Sequence, residues 1–407
     1  MKVFVLGGYG KVGVPVVKLL AQSDLATEVA VAGRNLKSAQ ATAAQIGPKA
    51  VAVQVDGTDE KALTSALTGY DVVANAASSK SVQPTIRAAA QAGVHYCDVT
   101  SFGDLCDKVV ELLPEAQAAG ITAVIANGIH PSISNLMGAN MARQLDEIVQ
   151  LQIGFSDIID FERGQELIPQ QWYGDPEENL TDIDRCKGFI SWMLQIAQNN
   201  GGRTACVYHD DRWTEIDPVR AGLDIPALQG GPSTATPYLS SDPLFRSLPQ
   251  GLGSVPPVEM YFSPLPPQLH KALCSLGLQV LEGKTDAETA TETFYGSLKR
   301  DPHRWLTAAD SFVPVPKLWT RAVGHKERRA ARATCWFTAP VWNVGGYYLT
   351  SVALVVAVLK ILRGEVEERG VMTAETVFDP LSFLDEVASL LPDLDGRMID
   401  ESFEWLD

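Results

Sequence analysis

The chain has 407 residues, 46% of them apolar and 20% charged, enough to close over more than one core and too apolar for disorder over most of its length. Its 33 basic and 49 acidic residues leave a net charge of −16, which excludes a general binder of nucleic acid or anionic membrane, since both need clustered positive surface. The six cysteines, Cys97, Cys106, Cys186, Cys206, Cys274 and Cys335, show neither C-x-x-C nor zinc-ligand spacing. No metal site and no disulfide framework is expected, and a reducing, cytoplasmic setting fits.

The apolar run Val3–Leu6 ends at Gly7-Gly8, too early for a secretory h-region, and reads as a strand. Val12–Gln22 has helical periodicity, Glu28–Ala32 is β-like, Leu36–Ile46 is an Ala-rich helix and Ala50–Val55 is β-like. Asp59 caps a helix to about Leu67. Val72–Asn75 is a strand, Ser81–Ala92 a helix closed by Gly93, Val94–Val99 a strand, Leu105–Ala119 a helix closed by Gly120, and Thr122–Ala126 a strand. This βα alternation predicts a parallel, doubly wound sheet over residues 1–145.

After residue 145 the rhythm changes. Val149–Ile159 is a long β segment, Asp184–Gln198 an amphipathic helix, and Thr204–His209 with Arg212–Ile216 a hairpin across Asp210-Asp211. Val258–Phe262 is β-like, Pro266–Leu276 helical and Arg329–Thr338 a strand. Residues 146–340 are thus expected to form an α+β substrate and dimerisation domain. Residues 341–407 are expected to supply C-terminal helices, Gly346–Arg363 first, that pack back on the first domain. The acidic tail Asp393–Asp407 reads as a solvated end. Ala333–Leu359 contains no charged residue, but Pro340, Asn343 and Gly345-Gly346 interrupt it, so a buried helix is favoured over a membrane segment.

The strongest motif is Gly7-Gly8-Tyr9-Gly10-Lys11-Val12-Gly13. Gly8, Gly10 and Gly13 follow a strand and open a helix, the context that makes G-x-G-x-x-G a dinucleotide signature. Gly8 is assigned the tight turn, Gly10 the approach of backbone N–H groups to a pyrophosphate, and Gly13 close helix packing. Arg34 stands 21 residues past Gly13, where an NAD domain usually places an acid; an Arg there suits a 2′-phosphate, with Lys37 able to assist. NADP is therefore preferred over NAD. Asp56 either meets the adenine amine or caps the next turn. Asn75-Ala76-Ala77 either lets the cofactor lie over the sheet edge or forms only a tight turn.

These residues resemble the saccharopine dehydrogenase-like superfamily. The resemblance runs through Gly8-x-Gly10-x-x-Gly13, Ala32-Gly33-Arg34, Val55–Asp59, Leu67-x-Gly69-x-Asp71-Val72-Val73, Ala92–Thr100 and Gly128–Asn135, and more loosely through 346–350 and 364–375. It implies a Rossmann domain, a smaller α/β substrate domain inserted before a returning C-terminal segment, a homodimer, and NAD(P)-dependent oxidation or reduction. Family members include C–N bond dehydrogenases and enoyl reductases. At His130-Pro131-Ser132 the chain departs from the Asp-Pro-Gly of the amino-acid enzymes. That argues against an α-amino-acid adduct as substrate and brings the chain closer to a bacterial and plastid branch.

Catalysis needs a proton donor or acceptor beside the hydride-transfer site, outside the strand carboxyl ends. Asp98 and His130 are the catalytic candidates; Thr100, Ser101, Asn127, Gly128 and Pro131 are the substrate-binding ones. His130 could shuttle a proton near neutral pH, or only cap the helix that follows. Tyr96 and His209 read as core and surface. The basic run Lys317, Arg321, His325, Lys326, Arg328, Arg329 and Arg332 is either an anion site or a solvated face or subunit contact. Tyr295-x-x-x-Lys299 matches the short-chain dehydrogenase pair, but lies 282 residues past Gly13 and reads as coincidence. The expected function is reduction or oxidation of a C–N bond in a small molecule. A C=C or C=O reductase, or a non-catalytic NADP(H) sensor, stands as the alternative.

Overall fold

The computed structural model describes residues 1–99, 111–155, 187, 190, 191, 194, 205–209, 212–216, 223–225, 233–235, 238–239, 258–262, 267–301, 304–305, 318–338, 341, 344–392, 394 and 396–406. The first part of the chain runs β1 (Lys2–Leu6), α1 (Gly13–Gln22), β2 (Glu28–Gly33), α2 (Leu36–Ile46), β3 (Ala50–Gln54), α3 (Glu60–Leu67), β4 (Val72–Asn75), α4 (Val82–Ala92), β5 (His95–Asp98), α5 (Leu113–Ala118), β6 (Thr122–Ile125) and α6 (Ile133–Ala142). There follow β7 (Glu147–Phe155), β8 (Ala205–His209), β9 (Arg212–Ile216), β10 (Leu223–Ile225), β11 (Ser233–Ala235), β12 (Tyr238–Leu239), β13 (Val258–Phe262), α7 (Pro267–Leu281) and α8 (Ala287–Arg300). The last elements are β14 (Leu318–Lys326), β15 (Arg329–Phe337), α9 (Gly346–Leu362), β16 (Gly370–Thr373), α10 (Ala374–Val377), α11 (Pro380–Ser389) and β17 (Ile399–Trp405).

The first sheet has the order β16-β6-β5-β4-β1-β2-β3, and all its pairs are parallel. Parallel strands are covered on both faces, so they read as unbroken apolar runs. Successive side chains still alternate between the faces. Val3 and Val5 join one core with Val16, Leu20 and Val355, whereas Phe4 and Leu6 join the other with Leu63, Leu67 and Ile86. Asn35 caps α2 through Ser38 N (3.1 Å), and Asp59 caps α3 through Ala62 N (3.0 Å). Asp59→Ala is expected to lower the unfolding free energy by about 0.5–2 kcal/mol in urea titration, with Asp59→Asn close to wild type.

The second sheet runs β17-β15-β14-β7-β13-β8-β9, with β12 also on β13. Here β7 and β13 are parallel and the other pairs antiparallel. The hairpin expected at 204–216 is β8–β9. β14 and β15 turn at Glu327-Arg328, both with positive φ (50° and 65°), as a two-residue primed turn requires. Helix α6 is buried along its whole length, and its Gly138 faces Leu151 and Ile153 of β7. One continuous core thus runs from the first sheet through α6 and α9 to Leu318, Ala322 and Ala333 of the second sheet. Helices α7 and α8 close over a separate small cluster containing Leu273, Phe294 and Leu298.

The C-terminal segment serves both sheets. Helix α9 packs on α1, β4 and β5, and is buried from Leu349 nearly to its end. Even Lys360 is inside, paired with Glu365 (2.8 Å) and Glu386 (3.4 Å). Among the described residues no helix is long and apolar enough to cross a membrane. β16 then extends the first sheet beside β6, and β17 crosses to the second sheet beside β15. The tail is therefore not simply a solvated end: Ile399 is buried, and Asp400, Glu401 and Glu404 are exposed on an edge strand.

Candidate active site

The glycine turn leaves β1 at the carboxyl edge of the first sheet. The left-handed residue is Gly7 (φ 78°), rather than Gly8 as expected, and a Cβ there would lie 2.8 Å from the carbonyl oxygen of Ala76. The N–H groups of Gly7 and Gly8 both donate to the carbonyl of Ala32 (2.8 and 3.2 Å), tying the turn to β2. A Cβ on Gly13 would stand 2.0 Å from the Gly7 carbonyl oxygen. Only glycine allows α1 to start this close to the strand. Gly10 meets only the Gly7 oxygen, at 3.2 Å. Helix α1 opens at Val12 without a side-chain cap, so its N-terminal dipole and N–H groups have no acid or hydroxyl of its own to answer them.

At the end of β2, Arg34 and Lys37 are exposed. Tyr9 lies against Gly33, where an added Cβ would fall 2.6 Å from the phenol oxygen, and that oxygen accepts the N–H of Asn35 (3.0 Å). Tyr9 thereby braces the segment that presents Arg34. Asp56 is turned to its own loop: its Oδ1 accepts the N–H (2.9 Å) and the hydroxyl (2.8 Å) of Thr58. Those two bonds, with a smaller contribution from Arg34, hold its carboxyl below the usual range. Asp56 thus caps its turn through Oδ1.

Between β4 and β6 lies a buried polar network. Asn75 donates to the phenol of Tyr96 (3.1 Å), and its oxygen accepts Ala77 N and the Ser81 hydroxyl (both 3.1 Å). Asn75 is thus spent on shaping the turn through Ala76 and Ala77. Tyr96 donates to Oδ2 of Asp98 (2.9 Å), whose Oδ1 accepts Ala126 N (2.7 Å). Asp98 is 1% exposed. Burial first, and then the Asp98 carboxylate, push the Tyr96 phenol well above its usual range. Tyr96 is core, as expected, but it is also half of a hydrogen-bonded pair with Asp98.

Asp98 anchors the loop that follows β6. Asn127 donates from its backbone to the Asp98 carbonyl (2.7 Å), and its side-chain nitrogen donates to the carbonyls of Asp98 (3.2 Å) and Val124 (2.7 Å). Its Oδ1 is buried with no hydrogen-bond partner among the described residues. Gly128 N donates to the Pro131 carbonyl (3.2 Å), and the His130–Pro131 bond is cis. Ala126 (φ 63°) and Ser132 (φ 85°, ψ −84°) hold left-handed conformations without being glycine. Such strain persists only where the surroundings over-determine it, and it gathers at functional sites. His130, half-buried, sets its Nδ1 2.8 Å from the Ser134 hydroxyl. Thr100 and Ser101 lie outside the described residues.

Helix α9 adds residues that sequence reasoning did not single out. Ser351 donates to the Val12 carbonyl in the glycine turn (2.9 Å), Tyr347 lies under the Lys11 ammonium (5.7 Å), and Thr350 faces Gly128. The one signal, for Tyr347 and Thr350, was the 346–350 run. Other candidates fall elsewhere. Tyr295 is on α8 with Lys299 above its ring (4.5 Å), next to the separate small core. The described members of the basic run lie on or beside the β14–β15 hairpin. There His325 meets Glu147, Lys326 meets Asp146 and Arg332 meets Glu404, while Arg321 is buried beside Gln152 and Trp319.

Residues 3–124 match the family described as the saccharopine dehydrogenase NADP binding domain. The NADP(+), L-glutamate-forming saccharopine dehydrogenase of Saccharomyces cerevisiae is 33% identical over 141 residues, which is 35% of this chain and 30% of the yeast enzyme. This chain therefore matches less than a third of that relative's length. The solved apo structure of saccharopine dehydrogenase (L-Glu forming) from the same yeast superposes with a TM-score of 0.65 at 16% identity, covering 99% of both chains. The N-terminal third thus resembles the saccharopine dehydrogenase NADP binding domain, and the whole chain has the fold of that yeast structure.

Proposed function

We propose that the chain is an NADP(H)-dependent oxidoreductase of the saccharopine dehydrogenase type that reduces or oxidises a C–N bond of a small molecule. The observation that carries this reading is the approach of Gly13 to the Gly7 carbonyl, which starts an uncapped helix against the edge of the sheet. The turn fits a dinucleotide: Gly10 leaves the ligand side of the backbone bare, and Arg34 and Lys37 stand exposed where a 2′-phosphate would be held. Bound there, NADPH supplies a hydride.

The chain's own residues do the rest. The glycine turn, Tyr9, Arg34, Ala76 and Ala77 bind and orient the dinucleotide. Asn127, Gly128 and Pro131, with Thr350 behind them, line the substrate side at the carboxyl ends of β5 and β6. His130 gives or takes the proton. Asp98 is a positioning residue rather than a proton carrier, because both its oxygens are bonded inside the protein. That leaves one catalytic side chain where two were expected.

Arg34→Asp should weaken NADPH binding by about 10- to 100-fold, the loss of a charge-assisted phosphate contact, and leave NADH binding nearly unchanged. Equal losses for both would remove Arg34 from the 2′-phosphate role. Oxidation of NADPH followed by absorbance, across imines, enoyl compounds and carbonyl compounds, tests the bond type. Turnover confined to imines supports the C–N reading, and turnover confined to enoyl or carbonyl compounds rejects it.

A further inference from the structure

A chain of buried side chains runs from His130 to the C-terminal segment. His130 Nδ1 is 2.8 Å from Ser134 Oγ, Ser134 Oγ is 3.2 Å from Asn135 Oδ1, and Asn135 Nδ2 is 3.0 Å from Glu375 Oε1. Ser134 and Asn135 are fully buried, and Glu375 is 5% exposed. Glu375 belongs to α10, which begins directly after β16. It reaches Asn135 because the chain adds β16 alongside β6.

We propose that Glu375 is a positioning residue that fixes the tautomer of His130 through Asn135 and Ser134; this rests on the reading of His130 as the proton-transfer group. The direction of every bond follows from what each group can donate. Ionised, Glu375 only accepts, and it then takes an N–H of the Asn135 amide. The Asn135 oxygen is then the end that meets Ser134. Ser134 has one hydroxyl proton and gives it to that oxygen. Its Oγ lone pair is left to accept from His130, which must carry its proton on Nδ1. Nε2 of neutral His130, an atom buried in the structure, is thereby the basic nitrogen, and in the imidazolium it is the atom that gives a proton up.

The backbone holds this geometry. Ile133 N donates to the Gly128 carbonyl (3.1 Å) and Ser134 N to the Ile129 carbonyl (2.9 Å), which fastens the start of α6 to the strained loop. His130 and Ser134 are four residues apart, yet the residue that orders their protons lies 240 positions beyond Asn135. The returning segment then does more than complete the sheet.

The test is nitrogen-15 imidazole NMR on the full chain near neutral pH. His130 is assigned by the signals lost in His130→Gln. The wild type should show His130 protonated at Nδ1. Glu375→Gln keeps the size of the side chain but can offer either a donor or an acceptor, so Asn135 is no longer oriented. His130 should then populate both tautomers, and the pH profile of turnover should move while KM stays near wild type. Ser134→Ala should release the tautomer too, and keeps the test decisive if Glu375→Gln does not fold. Wild-type His130 protonated at Nε2, or an unchanged Nδ1-protonated signal in folded Glu375→Gln or Ser134→Ala, overturns the proposal. The expected NMR result together with full turnover in His130→Gln would keep the relay and reject instead the role given to His130 in the reaction.

Discussion

Gly13→Ala is expected to abolish measurable NADPH binding and to destabilise the fold. Alanine is intrinsically the better helix residue by about 0.5–1 kcal/mol, so any loss must come from the contact. The new Cβ would sit 2.0 Å from the Gly7 carbonyl oxygen and 2.7 Å from Gly8 Cα. Both are backbone atoms and no rotamer can relieve them. Overpacking of this kind costs about 1–3 kcal/mol, and here α1 must shift away from the turn that Gly7 and Gly8 hold on Ala32. Gly10→Ala is the control. Its Cβ meets only the Gly7 oxygen at 3.2 Å, so it should unfold close to wild type yet still bind NADPH poorly. Urea titration and nucleotide titration on both variants separate the two effects. Equal stability losses would contradict the division of labour between Gly10 and Gly13.

Asp98→Ala should be among the most destabilising single changes in the first domain. It strands the Tyr96 hydroxyl and the Ala126 N–H inside the protein, and each buried donor left without a partner costs about 1–3 kcal/mol. The expected loss is about 2–6 kcal/mol in urea titration. Asp98→Asn keeps one acceptor and should lose less. Its turnover is the informative number: a folded Asp98→Asn enzyme with turnover near wild type fits a positioning group. One that is as stable as wild type and inactive would return Asp98 to acid–base catalysis.

The first sheet was legible because parallel strands must be apolar on both faces, and runs such as Val3–Leu6 and Val72–Ala74 can be little else. The glycine turn was legible for a similar reason, since few other residues tolerate its contacts. β14 and β17 were not. Arg321, His325 and Lys326 made β14 look like a charged run, and Asp400, Glu401 and Glu404 made β17 look like a solvated tail. In both, a period of two is interrupted by charges that pair across strands, which one segment alone cannot reveal. Asp98 was found as a special residue, and its place in a buried hydrogen-bond pair was not. Its partner Tyr96 shares its strand face two residues away, a spacing that could have signalled the pair. Ala126, 28 residues on, could not have been read. Glu375 was hidden for the same reason, since only the topology brings it to Asn135.

The most direct test of a dinucleotide site built on the glycine turn and Arg34 is titration of the full chain with NADPH and with NADH, followed by the fluorescence of its eight Trp residues and by thermal shift. Saturable binding of both, with NADPH tighter by about 10-fold or more as a phosphate-binding Arg requires, is the predicted result. Binding of neither nucleotide would mean that the turn serves only the fold, and would contradict the account at its base.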